Sequence, residues 1–342
     1  MGMPVLTFFC ELESESLKDF FTSQLIDELK GLSASVSLSL QDLTRQRAEA
    51  VRRLNQAGIP VNAWLLLPKE EGYWLNLRNA DQAVRHYTEF KKWAAQNNLE
   101  WARVGLDIEP DIREMNELSR KNWRLLPRYL GRLFARREWK RGLASYRKLV
   151  EQIRSDGYRV DTYQFPLISD ERKAGSTALQ RVFGLVNLPA DREIWMLYSS
   201  FVRPHGAGIL TSYAAEAQSI AVGSTGGGVE SEFNRFQPLT WDELARDLRL
   251  AWYWCDDLHI YSLEGCVELG YMEKLTGFIW DNPILLPESS QARVDGWRRS
   301  LRSLLWVVSH ALALLLTLLG GIVIWKGLNR SLKRRRLPEH ND

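Results

Sequence analysis

Short apolar runs alternate with amphipathic stretches from residue 5 to about residue 276. The runs predict eight strands, over Val5–Cys10, Ser35–Leu40, Val61–Leu67, Ala102–Ile108, Val160–Phe165, Glu193–Tyr198, Ser219–Gly223 and Leu258–Leu263. The stretches between them predict helices, over Leu17–Lys30, Arg45–Gln56, Asp81–Asn97, Asn116–Ser155 (with a break), Thr211–Gln218, Trp241–Cys255 and Cys266–Leu275. Strands that alternate with helices predict a parallel sheet covered by helices.

Eight strand–helix units over about 270 residues have the size expected of a (β/α)8 barrel. We therefore predict an α/β protein in which residues 1–282 form a TIM barrel. An open doubly wound sheet is the alternative, but such sheets usually carry a glycine-rich phosphate turn after the first strand. Here the first strand runs into Glu11-Leu12-Glu13-Ser14, which contains no glycine.

The C-terminal part of the chain carries an uncharged run, Leu304–Trp325, of 22 residues without Asp, Glu, Lys or Arg. As a helix it would be about 33 Å long, enough for a hydrocarbon core of about 30 Å. We predict a linker and basic flank over 283–303, a single transmembrane helix over 304–325 and a basic tail over 326–342. The chain is then a single-pass membrane protein that contacts the lipid bilayer through Leu304–Trp325.

The side of the membrane on which the barrel lies is left open by two opposed signals. Basic residues are more frequent after the uncharged run than before it, which favours a cytoplasmic tail. The first residues, MGMPVLTFFCELESES, lack the basic region of a secretory signal. This lack argues against export of the barrel.

Composition and charge exclude several classes of function. The net charge is only +3, from 45 Lys plus Arg against 42 Asp plus Glu, so no nucleic-acid partner is indicated. The three cysteines show no CxxC spacing, and neither zinc-hydrolase histidine motifs nor a Gly-x-Ser-x-Gly elbow occur. We predict no cofactor and no metal site, with one alternative: a divalent cation held by Asp107, Glu109 and Glu264.

The fourth predicted strand ends in the strongest candidate for chemistry, Asp107-Ile108-Glu109. Active sites of TIM barrels lie at the carboxyl ends of the strands, and alternate strand residues point to the same side. Two carboxylates that close repel each other, so one tends to hold a proton, as general acid catalysis requires. The alternative is that these acids cap the next helix.

Leu106-Asp107-Ile108-Glu109 resembles the end of the strand-four signature of glycoside hydrolase family 18, the chitinase-like barrels. Met196-Leu197-Tyr198-Ser199 is similar to that family's Met-x-Tyr-Asp motif. The resemblance implies that Glu109 is the proton donor, that Asp107 orients it or assists an acetamido nucleophile, and that Tyr198 binds near the reacting carbon. The lysozyme-type barrels of family 25 also carry Asp-x-Glu on a barrel strand and are similar to a comparable degree.

The sequence departs from the family-18 pattern at three positions. Gly105 and Ser199 stand where the family has acids, and Glu264 stands where it usually has a tryptophan. Six further side chains near strand ends are candidate substrate contacts: Glu11, Tyr73, Trp74, Tyr163, Gln164 and Glu264. Charged neighbours favour an exposed loop for Tyr73 and Trp74, and Trp64 is assigned to the core. Glu11 or Glu264 as the second carboxylate is an alternative.

Together these features favour a membrane-anchored glycoside hydrolase that cleaves a glycan with Glu109 and Asp107. Two alternatives stay open at this point. One is a barrel that binds sugar or a partner without turnover, because the family acids are missing at two positions. The other is a metal-assisted enzyme such as a phosphodiesterase. The expected ligand is a carbohydrate.

Overall fold

The computed structural model describes residues 3–120, 123–229 and 236–334, and within the last helix it leaves out the side chains of 312–316, 318–321, 323 and 327–334. Eight parallel strands close into a barrel in chain order, with β8 paired to β1. They are β1 (Val5–Cys10), β2 (Ser35–Leu40), β3 (Val61–Leu65), β4 (Arg103–Ile108), β5 (Arg159–Gln164), β6 (Arg192–Met196), β7 (Ser219–Gly223) and β8 (Asp257–Tyr261). The predicted (β/α)8 barrel is confirmed.

Helices follow the strands and cover the outside of the barrel. They are α1 (Ser14–Phe20), α2 (Ser23–Gly31), α3 (Arg45–Gln56), α4 (Ala80–Gln96), α5 (Ile112–Ser119), α6 (Leu126–Arg132), α7 (Arg136–Ser155), α8 (Leu167–Lys173), α9 (Ala178–Phe183), α10 (Gly206–Tyr213), α11 (Trp241–Trp252), α12 (Leu263–Glu268), α13 (Tyr271–Thr276) and α14 (Glu288–Arg334). The helix predicted over Leu17–Lys30 is in fact two helices, because Thr22 caps a new one by accepting a hydrogen bond from the amide of Leu25.

The two faces of each strand have different surroundings, because successive side chains alternate. Outward-facing residues such as Val36, Leu38 and Leu40 are fully buried in the apolar layer between barrel and helices. Inward-facing residues fill the barrel. At its amino-terminal end Asp161 accepts from Arg103 at 2.6 Å and from Arg192 at 2.5 Å, which forms a charged floor.

A tyrosine fills the middle of the barrel above this floor. The Tyr163 hydroxyl lies 3.1 Å from the Ser37 hydroxyl, and a Cβ atom at Gly105 would lie only 2.4 Å from the same Tyr163 oxygen. The glycine is therefore required by the close approach of the ring. Side chains pack the barrel interior up to the level of Tyr163. Above that level, at the carboxyl ends of the strands, lies a cavity that is lined in part by carboxyl groups.

The last helix, α14, is continuous from Glu288 to Arg334. Its first turns pack on α10 and bury Val294 and Arg298, so residues 288–303 of the predicted linker are helical and packed on the barrel. Within the described residues, no helix combines the length and the apolar character needed to cross a membrane. The predicted transmembrane helix Leu304–Trp325 thus gains no support. Many of its side chains, and residues 335–342 of the predicted tail, lie outside the described set.

Candidate active site

Asp107 and Glu109 lie at the carboxyl end of β4 and line one cavity of about 40 Å³. This acidic cavity is lined by three carboxyl side chains, of Glu11, Asp107 and Glu109, and by nine aromatic or apolar side chains, which include Trp64, Trp74, Tyr163, Tyr198 and Tyr261. It therefore combines carboxyl groups with the flat apolar surfaces on which the C–H faces of sugars stack.

Trp64 contacts one member of the carboxyl pair. Its indole N–H donates to Oδ2 of Asp107 at 3.0 Å. Burial and the nearby charge of Glu11 raise the pKa of Asp107 to about 8, and the indole hydrogen bond opposes only part of that rise. Burial raises the pKa of Glu109 well above its usual range, and the charges of Asp107 and Glu11 raise it further. Both carboxyl groups are therefore largely protonated near neutral pH, and Glu109 keeps its proton to the higher pH.

Neither member of this pair is tied to a cation within the described chain. Two buried acids elsewhere in the protein are paired with arginine, Glu114 with Arg132 and Asp170 with Arg298. The helix that follows β4 is capped by Asp111, which accepts from the amide of Arg113 at 2.9 Å. Ion pairing and helix capping thus do not account for Asp107 and Glu109, and Oδ1 of Asp107 has no hydrogen-bond partner among the described residues.

Glu11 lies at the end of β1 and is held by two tyrosines. Tyr73 donates to its Oε1 at 2.7 Å, and Tyr261 donates to its Oε2. The amide of Glu11 donates to Oε1 of Glu264 at 3.2 Å, whereas Oε2 of Glu264 has no partner among the described residues. Burial raises the pKa of Glu264 to about 8, and the charge of Glu11 contributes. Burial also raises the pKa of Glu11, against the effect of the tyrosine hydrogen bonds.

Aromatic side chains from three parts of the chain form the rest of the wall. Tyr198, which follows β6, stacks on Tyr261 with ring centroids 5.5 Å apart, and Trp74 lines the same cavity. The expectation of an exposed loop at Tyr73 and Trp74 is wrong, since they are 2% and 5% exposed. Their loop folds inward, because Tyr73 adopts a positive φ of 63° and its hydroxyl reaches Glu11.

Two neighbours on β5 lie on opposite faces of the sheet. Tyr163 points inward and lines the base of the acidic cavity. Gln164 points toward the helices, where its amide donates to the Thr162 hydroxyl at 3.2 Å, and it does not line the cavity. A substrate-contacting role for Gln164 thus gains no support from its position. Because side chains alternate along a strand, the sequence alone predicts that Tyr163 and Gln164 point to opposite faces of the sheet.

Sequence reasoning missed Tyr261 and did not foresee the role of Trp64. Tyr261 lies on β8 opposite Phe9 of β1, two positions beyond the inward-facing His259, so strand alternation predicts that it points inward. Trp64 is indeed buried, as predicted, but its indole faces the acidic cavity and contacts Asp107. No sequence signal identifies that particular hydrogen bond.

The structure shows what replaces the two missing family acids. At Gly105 the ring of Tyr163 takes up the space that a side chain would need. The Ser199 hydroxyl donates to Asp247 on α11 and is buried. Neither position adds a charge to the acidic cavity. Among the described residues, no three His, Cys, Asp or Glu side chains have an arrangement that would hold a metal ion.

No protein-family model matches the chain, and no curated protein matches it significantly in sequence. Among solved structures it is similar to the PgaB (BpsB) glycoside hydrolase domain from Bordetella bronchiseptica, at 11% identity and a TM-score of 0.49, over 82% of this chain and 100% of that one. It is also similar to a xylose isomerase domain protein from Planctomyces limnophilus, at 12% identity and a TM-score of 0.45, over 81% and 96% of the two chains. Similarity this low concerns the barrel fold alone, and membership of glycoside hydrolase family 18 is not shown.

Proposed function

We propose that this protein is a glycoside hydrolase in which Glu109 donates a proton to the glycosidic oxygen. One observation carries the proposal: a carboxyl group that keeps its proton lies beside a second buried carboxyl group of lower pKa in an aromatic-lined cavity, and neither is paired with a cation in the described chain. Glycosidic cleavage requires such an acid, because the leaving oxygen is a poor leaving group until it is protonated.

The remaining groups of the cavity fit the same reaction. Oδ1 of Asp107 has no partner among the described residues and accepts a hydrogen bond from a hydroxyl or amide of the substrate. In its ionised form Asp107 stabilises the positive charge that develops on the sugar ring in the transition state. Trp74 and Tyr198 line the cavity, and we expect their rings to contact the sugar.

A second candidate function is sugar binding without turnover. It is favoured by the replacement of two family acids, since Tyr163 fills the space at Gly105 and Ser199 is bound to Asp247. A barrel of this kind would retain the carboxyl pair for recognition of the sugar. It predicts binding that produces no product.

The test is hydrolysis of a panel of 4-nitrophenyl glycosides by the wild type and by Glu109→Gln. Loss of the general acid is expected to lower kcat by about 10²–10⁴-fold on any glycoside that is cleaved. Glu117→Gln is the matched control, because Glu117 is exposed on α5, and it is expected to retain activity. Unchanged thermal unfolding of both variants shows that they fold. Full activity of Glu109→Gln contradicts the proposal, and binding of a glycoside that is never cleaved favours the second candidate.

The membrane anchor is proposed separately, on the uncharged run Leu304–Trp325 of the sequence. The full chain is expected to stay with the membrane pellet after alkaline carbonate extraction. Its release into the supernatant would contradict the anchor without bearing on the acidic cavity.

A further inference from the structure

A second cavity, of about 330 Å³, lies between the carboxyl end of the barrel and the first turns of α14. We call it the apolar cavity. The barrel contributes Phe165 and Phe201 to its wall, and α14 contributes Val294, Trp297 and Leu301. Its lining is almost entirely apolar, so it offers few hydrogen-bond partners to a sugar. Hydroxyl groups buried there would lose the hydrogen bonds they make with water, which is costly.

The two cavities share a wall. Phe165, Met196, Tyr198 and Phe201 line both the acidic cavity and the apolar cavity. A ligand bound at Glu109 in the acidic cavity is therefore separated from the apolar cavity only by shared side chains such as Tyr198. The structure thus places an acidic compartment and an apolar one on opposite sides of shared side chains.

The helix that forms the outer wall is fixed to the barrel. Arg298 on α14 pairs with Asp170 at 3.1 Å and with Glu216 at 2.9 Å, and its guanidinium lies 3.8 Å from the centre of the Tyr213 ring. The charge of Arg298 is therefore neutralised and does not make the apolar cavity an anion site. A Cβ atom at Gly208 on α10 would lie 2.4 Å from the carbonyl of Ser290, so the two helices are in close contact.

The same helix continues the apolar surface away from the cavity. Leu304, Trp306 and Val307 follow the lining residue Leu301 along α14, and they are 59%, 46% and 47% exposed. They begin the uncharged run of the sequence. An aliphatic chain that extends out of the apolar cavity along α14 would stay in contact with apolar side chains.

From this juxtaposition we infer that the substrate is a glycolipid, a sugar joined to an aliphatic chain, and that the apolar cavity binds the chain. The inference rests on the proposed function, because it assigns the leaving group of that reaction. The bond between C1 of the sugar and the alkyl oxygen breaks, and the proton of Glu109 passes to that oxygen. Water supplies the hydroxyl at C1, and its remaining proton restores the acid.

The test uses the full chain in lipid nanodiscs, so that no free detergent competes with the ligand. The probes are methyl, butyl and hexyl β-D-glucosides and N-acetyl-β-D-glucosaminides, assayed for kcat/KM. Burial of each added methylene is expected to raise kcat/KM by about two- to fourfold. The same series is titrated calorimetrically against Glu109→Gln, in which binding is separated from cleavage.

Two variants locate the binding of the chain on the structure. Trp297→Ala removes a lining ring that is 47% exposed, and Trp306→Ala removes a ring that is 46% exposed on the same helix but outside the cavity. The dependence on chain length is expected to flatten in Trp297→Ala and to persist in Trp306→Ala. The wild-type series is itself a test if Trp297→Ala does not fold.

The outcomes separate the two proposals. Cleavage at a rate independent of chain length overturns the glycolipid inference and leaves the hydrolase proposal standing. Tighter binding of longer chains without cleavage of any probe overturns the hydrolase proposal and supports the apolar site. Equal loss of the chain-length dependence in both tryptophan variants overturns the assignment to the apolar cavity.

Discussion

The indole nitrogen of Trp64 on β3 lies 3.0 Å from Oδ2 of Asp107 on β4, at the level where the barrel interior changes from packed to open. This hydrogen bond favours the ionised form of Asp107. It thereby lowers the pKa of Asp107 relative to that of Glu109, which keeps its proton to the higher pH. A neutral donor from an aromatic ring thus separates the two pKa values without introducing a cation.

Replacement of Trp64 by phenylalanine tests this relationship. Without the N–H donor, the carboxylate of Asp107 loses a hydrogen bond to a charged group, a loss of about 1.5–3 kcal/mol. The acid limb of the pH–activity profile is expected to move upward by about one pH unit or more, with a lower kcat. Trp101→Phe is the control, because Trp101 is a buried indole outside the acidic cavity. An unchanged acid limb in Trp64→Phe contradicts the assignment.

The free energy of unfolding is expected to decrease as pH rises, because Glu264 loses its proton in the folded protein. Its pKa is about 8 in the folded protein against an ordinary value of 4.5, so between these values the folded state binds more protons than the unfolded state. The free energy of unfolding therefore decreases with pH in this window. Between pH 6.5 and 8 the decrease from this group is up to about 2 kcal/mol.

Urea unfolding of the wild type and of Glu264→Gln at these two pH values isolates that contribution. The other titrating groups, such as His259, are common to both proteins and cancel in the difference. The decrease is expected to be smaller in Glu264→Gln. Equal decreases in the two proteins would show that Glu264 has an ordinary pKa.

Gly105→Ala tests the close approach of the Tyr163 ring. The added methyl group would lie 2.4 Å from the Tyr163 hydroxyl in a packed interior, so destabilisation of about 1–3 kcal/mol is expected. Gly131→Ala on α6 meets nothing within 4 Å and is expected to be neutral or slightly stabilising. Thermal or urea unfolding measures both. A neutral Gly105→Ala would show that the ring can move aside.

Replacement of Arg298, which pairs with Asp170, tests how strongly α14 is bound to the barrel. Arg298→Met leaves the fully buried carboxylate of Asp170 without its main partner, and a loss of about 3–5 kcal/mol is expected. Arg299→Met, at the exposed neighbouring position, is expected to change the free energy of unfolding by less than about 0.5 kcal/mol. Equal effects of the two substitutions would contradict a packed role for this helix.

Much of the barrel could be predicted from alternation and punctuation in the sequence. Val5–Cys10, Ser35–Leu40 and Ser219–Gly223 match the observed strands, because each is a short apolar run between clear turn signals. Helix α11 also begins where its sequence pattern indicates, at a capping box formed by Thr240 and Glu243. Helices α8 and α9 were missed, since a six- or seven-residue helix gives too few turns for a periodic signal.

The candidate site was less predictable than the fold. The pairing of Asp107 with Glu109 follows from the two-residue period of a strand, but the donor that fixes its charge comes from another strand. The inward turn of Tyr73 depends on a positive φ that a non-glycine residue rarely adopts. The apolar cavity is formed by α14, which meets the barrel through contacts far apart in the sequence, so no local pattern predicts it.

The charged floor made by Arg103, Asp161 and Arg192 has a consequence for the timing of a catalytic cycle. Because this floor fills the lower end of the barrel, a ligand enters and leaves the acidic cavity on the side of the carboxyl ends of the strands. In the proposed hydrolase, the rate at which product leaves on that side therefore sets an upper limit on kcat, even where bond cleavage is faster.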